Sequence, residues 1–299
     1  MSKTARNLLR VWIPLALTVV LAGTAVLVGN DPIKQEADRV SQSKIWTKSQ
    51  RGPVTVLTSV GVWRDIAAQI GRDKVSAKTI IATAVQDPHS YVATPRDQLA
   101  FNESDVTIEN GLGYDTFFQR LSDSGPIKDP ASQLTIGCQL GCDGNPHVWY
   151  SLAQVRTAVP KIAQLIESGF ATSQTGVESQ LIVAQQAVAY QQKIDQVIDK
   201  VKALQPRTAG KTFLLTEGFA AYLLGDLKMR DVTPAGFKTA VENEQDASPL
   251  VMNQIHQQLS QRRVSVVITN RQTSNSQTTQ IAAWAKSSGV PILSWSELL

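Results

Sequence analysis

From Val54 onward the apolar positions switch between two periods. Val54-Thr55-Val56-Leu57-Thr58 is an apolar, β-branched run that predicts a strand, Val62 to Ile70 carries apolar residues at helical spacing, and Val75 to Ile81 predicts a second strand. Thr94-Pro95-Arg96-Asp97 predicts a helix start, with a capping hydroxyl and a proline at the first helical position. Asp105 to Glu109 predicts a strand, Gly111-Leu112-Gly113 releases a helix from Tyr114 to Leu121, and another helix runs from Leu152 to Gly169. Val177 to Leu204 holds no Gly or Pro and repeats apolar residues at Leu181, Ala184, Val188, Ile194, Val197, Ile198 and Val201. That predicts one helix of about 40 Å, ended by Gln205-Pro206. A second set follows: strand Thr212 to Leu215, a helix from Gly218, helix Pro249 to Arg263, strand Val264 to Thr269, helix Gln277 to Ser287 and strand Val290 to Leu293. Strands alternating with helices mean βαβ units, so the expected fold is α/β: two α/β lobes with mainly parallel sheets, joined by one long rigid helix, with a cleft between them. The expected division is 54–172 for the N-terminal lobe, 173–206 for the linking helix and 207–299 for the C-terminal lobe.

The first 53 residues follow a different pattern. Lys3, Arg6 and Arg10 precede an uncharged stretch from Val11 to Gly29, which reads as an export signal or a membrane anchor, so 1–29 is assigned to that role. Ala22-Gly23-Thr24-Ala25 offers small residues for cleavage, and Thr24 stands where a lipid-bearing cysteine would be needed. Residues 30–53 are rich in Lys, Gln and Ser and read as a tether. The expected location is extracytoplasmic, secreted or anchored to the cell membrane. A hydrophobic share of 42% with 18% charged residues suits folded lobes with real cores. The net charge of +4 falls to about +1 without Lys3, Arg6 and Arg10, and no basic stripe interleaved with aromatics follows, so no nucleic-acid partner is expected.

The chemistry concentrates in two short turns. The chain has three histidines, and two of them follow a proline: Asp87-Pro88-His89-Ser90-Tyr91 and Asn145-Pro146-His147-Val148-Trp149-Tyr150. Proline fixes its own φ and biases the preceding residue toward extended geometry, so each unit presents an imidazole on a rigid turn. A turn histidine bonded to a backbone carbonyl is the plain alternative for either one, but two in matching contexts look like half of a metal site. The third, His256, lies beside the apolar stripe Leu250, Met252, Ile255 and Leu259 of a helix and is expected in solvent.

Together with Thr94-Pro95, Asn110-Gly111-Leu112-Gly113 and the order and spacing of the two turns, these residues resemble the metal-specific solute receptors that feed zinc and manganese ABC importers, from about Val54 to the C-terminus. The resemblance implies two α/β lobes linked by a long helix, with a metal at the interface held by four ligands from four loops. It assigns His89 and His147 as the two N-lobe ligands, Glu217 in Leu215-Thr216-Glu217-Gly218-Phe219 as the third, and Glu297 in Ser294-Trp295-Ser296-Glu297 as the fourth. The plain alternative for Glu217 is a carboxylate at a helix N-terminus, and for Glu297 an exposed terminal acid. Two imidazoles and two carboxylates form a fairly hard set that tilts toward Mn²⁺ or Fe²⁺, while tetrahedral zinc sites also accept His and Glu, and the histidine-rich acidic loop of zinc-dedicated members is missing. The expected cargo is therefore Zn²⁺ or Mn²⁺.

Cys138 and Cys142 lie close together just before His147, and in an exported chain they are expected to form a local disulfide that stiffens the loop; a pair of thiolate metal ligands is the alternative. Trp63, Trp149, Trp284 and Trp295 read as packing residues, with Trp149 also placed to wall the metal. Asn270-Arg271-Gln272-Thr273 either orients a carboxylate or caps the next helix. The expected function is capture of a divalent transition metal ion by a monomer and its delivery to an ABC permease in the membrane, with no chemistry performed on the ion. A secreted adhesin or interaction module and a metal-dependent hydrolase are the rival readings; catalytic zinc would keep a coordination position open for water, which four protein ligands close.

Overall fold

The structure, a computed structural model, describes residues 52–83, 86–88, 90–125, 128–137, 144–170 and 174–298. The N-terminal apolar segment and tether, His89, Cys138 and Cys142 lie outside them, and so do the expectations attached to those residues. Among the described residues no helix is long and apolar enough to cross a membrane.

The first lobe contains β1 (Val54–Val60), α1 (Gly61–Gly71), β2 (Val75–Ile81), α2 (Pro95–Glu103), β3 (Val106–Glu109), α3 (Thr116–Ser124), β4 (Gln133–Thr135) and α4 (Leu152–Ser168). Its sheet is parallel throughout, in the order β2-β1-β3-β4. The second lobe contains β5 (Thr212–Leu215), α6 (Ala221–Asp226), β6 (Arg230–Asp231), α7 (Ala235–Glu242), α8 (Pro249–Ser260), β7 (Val266–Asn270), α9 (Ser276–Ser287) and β8 (Ile292–Trp295), and its sheet repeats the plan as β6-β5-β7-β8. Central strands β1 and β5 are almost wholly buried because both of their faces are covered, as parallel sheets require. Edge strand β8 is mostly exposed. Between the lobes runs α5 (Gln174–Thr208).

Val56, Val60, Trp63, Ile66, Ile108 and Phe117 fill the first core, with Val159, Ile162 and Ile166 of α4 and Val183, Ala187 and Ile194 of α5 on its far side. Helix α5 lies along α4, where Gln180 Nε2 donates to Glu167 O at 3.0 Å and Arg156 Nε meets Asp195 Oδ1 at 2.6 Å. Its last turn is tied to the second lobe by Gln205 Nε2 to Asp226 O at 2.8 Å and Thr208 Oγ1 to Leu227 O at 2.7 Å. These ties explain why α5 runs on through Pro206 instead of ending there: a proline in the last turn forfeits one N–H bond, which tertiary contacts offset. In the second lobe, Leu214, Phe237, Ile255, Leu259, Val267 and Ile281 form one layer and Phe213, Leu215, Phe219 and Ile268 another.

Other differences from the expected elements have local causes. β8 starts two residues later than Val290, because Val290 packs among the helices and Pro291 has no N–H for the ladder; pairing begins at Val267↔Ile292. α3 starts at Thr116 instead of Tyr114, because Asp115 folds back to accept Asn110 N at 2.6 Å and Gly111 N at 2.8 Å. Gly111 takes φ +77, and a Cβ there would stand 2.5 Å from Thr135 Cγ2, so both the angle and the close approach demand glycine. β4, β6 and α7 were not expected: the two strands are three and two residues long, too short for any period to register.

Candidate metal centre

Segments from both lobes converge at the carboxyl ends of the two sheets, where α/β folds bind ligands. Asn145-Pro146-His147 forms the turn expected of it, with Val148 N donating to Pro146 O at 2.8 Å, and Ser151 caps the helix beyond. Asn145 Oδ1 accepts from His147 N at 3.0 Å and lies 2.9 Å from His147 Nδ1. An amide oxygen can only accept, so Nδ1 carries a proton and Nε2 is the nitrogen aimed into the site. The ring is packed edge-on against Tyr114, Trp149 and Phe219, with centroids 5.5, 5.4 and 6.5 Å away. His147 is buried.

Glu217 follows β5 directly. Its Oε2 accepts from Asn270 Nδ2 at 2.6 Å and from the Thr273 hydroxyl; among the described residues Oε1 takes no hydrogen bond. Glu297 follows β8 and is 4% exposed, which overturns the alternative of an exposed terminal acid. The chain end crosses to the first lobe: Leu298 is buried in that lobe's core, Trp149 Nε1 donates to Glu297 O at 3.0 Å and Tyr150 Oη to Ser296 O at 2.7 Å. Within the site, Glu297 Oε1 accepts from the Tyr114 hydroxyl and lies 3.2 Å from His147 Nε2, while Oε2 accepts from Asn270 Nδ2 at 2.9 Å. One amide of β7 therefore bonds both carboxylates. Asn275, not Asn270, caps α9.

His147, Glu217 and Glu297 each offer one ligand atom, and these atoms lie within 4.8 Å of one another. An imidazole lone pair and two carboxylates at that spacing could hold one divalent cation. Burial, followed by the neighbouring Glu297 charge, raises the Glu217 carboxyl from 4.5 to about 7, against the opposing bonds from Thr273 and Asn270. Burial and the same two carboxylates hold the Tyr114 hydroxyl well above its ordinary range. The site opens into a cleft of about 770 Å³, whose lining includes Asp87, Glu242, Glu244 and Asp246 as well as His147 and Glu217. Asp87, two residues before His89 in the sequence, borders the same cleft. His256 is exposed against Trp284, at a ring distance of 4.8 Å. Trp63 is core, its Nε1 donating to Asn110 Oδ1 at 3.3 Å. Thr273 lies in the Asn270–Thr273 segment expected to orient a carboxylate or cap the next helix, and it does the former. The expectations gave Asn145 and Tyr114 no such role; of these two only Asn145 carries a local signal, since Asn before Pro-His favours a side-chain bond to its own backbone two residues on.

The chain is similar to known metal-binding proteins. The iron-binding protein YfeA of Yersinia pestis is 22% identical over 272 residues, spanning 88% of this chain and 79% of that protein. A protein of Thermotoga maritima is 25% identical over 181 residues, 60% of this chain and 63% of its own length, so the match spans less than two thirds of that relative. The periplasmic zinc binding protein TroA of Treponema pallidum superposes with a TM-score of 0.68 at 17% identity, covering 82% of this chain and 89% of that one, which shows a shared fold. The family described as "Zinc-uptake complex component A periplasmic" matches over residues 56–297; the chain belongs to this family of non-enzymatic metal receptors.

Proposed function

We propose that this protein is an extracytoplasmic, monomeric solute-binding protein that captures a divalent transition metal ion, Zn²⁺ or Mn²⁺, between its lobes and delivers it to an ABC permease in the membrane. The observation that carries the reading is the convergence of His147, Glu217 and Glu297 within 4.8 Å at the carboxyl ends of both sheets. His89 completes the set as the fourth ligand, supported by its neighbour Asp87 in the cleft lining. The relatives' names mention iron and zinc, so they support a transition metal without choosing one.

The surrounding residues suit reversible capture. Asn145 fixes the imidazole tautomer and Asn270 holds both carboxylates, as outer partners of metal ligands do. Glu217 must lose its proton to bind a cation, and with its carboxyl raised to about 7, affinity falls as pH drops below neutrality. Helix α5, packed along the first lobe and tied to the second, limits hinge motion, so release proceeds by small shifts of lobes or loops. The test is metal content by native mass spectrometry or elemental analysis of protein purified from its own envelope. One metal per chain is expected in the parent, with loss in His89→Ala, His147→Ala and Glu217→Ala; unchanged content in the variants would refute the ligand set.

A further inference from the structure

Among the described residues, every hydrogen bond that Glu217 accepts falls on Oε2, from Asn270 and Thr273, and the second proton of the Asn270 amide holds Oε2 of Glu297. Among the described residues these bonds leave Oε1 of Glu217 without a hydrogen bond, while Oε1 of Glu297, which accepts from the Tyr114 hydroxyl, stands 3.2 Å from His147 Nε2 within the ligand cluster. Resting on the metal-receptor reading above, we propose that Asn270 and Thr273 are specificity-determining residues: by occupying one oxygen of each carboxylate they restrict both glutamates to single-oxygen ligation and so set the site for a four-coordinate cation of the zinc type against a higher-coordinate one of the manganese type.

The physical argument concerns ligand number. Zinc is satisfied by four donors with single carboxylate oxygens, whereas harder, oxygen-preferring ions fill six or more positions, often by taking both oxygens of a carboxylate. To bind that way here, each glutamate would have to give up a bond to Asn270, and Glu217 one to Thr273 as well. Asn270 is fixed against such a change, because it is buried at the end of β7 and its Oδ1 accepts from Gln272 N at 3.0 Å. Its amide also meets the two carboxylates with partial positive charge, which keeps them together while no cation is bound.

A preference for zinc in the parent is not diagnostic, since divalent ions bind nitrogen and oxygen sites more tightly from manganese toward zinc in any case. The test therefore compares variants. Affinities for Zn²⁺ and for Mn²⁺ are measured separately by chelator competition on the parent, Asn270→Ala and Thr273→Val, with metal-free melting recorded for each. The threonine variant removes one hydroxyl from a partly exposed position and serves if the buried asparagine variant does not fold. Zinc affinity is expected to fall about 10–100-fold in Asn270→Ala, the usual effect of losing an outer partner, and manganese affinity to hold or rise, so that the ratio between the metals narrows. Thr273→Val should move the ratio in the same direction by a smaller factor. Equal weakening of both metals in both variants would overturn the inference and leave the receptor reading intact. A parent that binds neither metal would overturn both.

Discussion

Glu217→Gln gives the sharpest test of the site's electrostatics, because stability and metal binding should respond in opposite directions. Without metal, two carboxylates share a buried pocket with ligand atoms within 4.8 Å of each other. A pair of unit charges at that distance repels by about 3 kcal/mol at an effective dielectric of about 20. The Glu217 carboxyl sums that repulsion with burial, its larger cause, and with the opposing bonds from Thr273 and Asn270. Its rise from 4.5 to about 7, caused first by burial and then by Glu297, corresponds at about 1.4 kcal/mol per pH unit to roughly 3 kcal/mol. Below about pH 4.5 the group is protonated in both states and costs nothing. Between 4.5 and 7 the unfolded chain releases this proton while the folded one keeps it, so stability declines as pH rises, and above 7 the full penalty applies. Glutamine keeps the shape, can still accept from Asn270 and Thr273, and carries no charge. In chelator-treated protein followed by circular dichroism, Glu217→Gln should therefore melt above the parent at pH 8, by roughly 6–10 °C for about 3 kcal/mol in a protein of this size, and by far less at pH 5. Excess zinc should reverse the order at pH 8, since only the parent gains binding energy from an anionic Glu217. A variant that melts below the metal-free parent at pH 8, or gains as much at pH 5, would refute the account of a strained carboxylate pair.

Asn145→Ala removes the acceptor that fixes the His147 tautomer and also a lobe-to-lobe bond, Asn145 Nδ2 to Gly218 O at 3.1 Å. Metal affinity should fall about 10–100-fold by competition titration, and an unchanged affinity would show that the imidazole orients without it. Trp63→Ala removes a fully buried indole of the first core together with its bond to Asn110; a loss of about 3–5 kcal/mol is expected in denaturant unfolding, and a loss under about 1 kcal/mol would mean the core repacks around the gap.

What the sequence determined by itself was local and periodic. The strand Val75–Ile81 and the strand Thr212–Leu215 have the bounds their apolar runs predict, Thr94 and Asp97 form the capping box at the expected helix start, and α5 departs from its expected span by only a few residues at each end. These features depend on side-chain period, caps and breakers, all of which operate over a few residues. The Pro-His turn at His147 was equally legible, because proline and asparagine act on their own backbone. Only the tertiary structure decided what depends on contact between distant segments. The short edge strands β4 and β6 exist because neighbouring strands supply partners, and β8 takes its start from the ladder of β7. For Glu297, assigned as a ligand by resemblance with an exposed acid as the alternative, burial was decided by the segment that crosses into the first lobe with Leu298. Asn270, open between carboxylate partner and helix cap in the sequence, meets Glu217 and Glu297 because β7 lies between β5 and β8 in the sheet. Neither the reach of a side-chain amide across three strand ends nor the burial that raises the Glu217 carboxyl is encoded in any short window of residues; both arise when parallel strands bring their carboxyl ends to one edge.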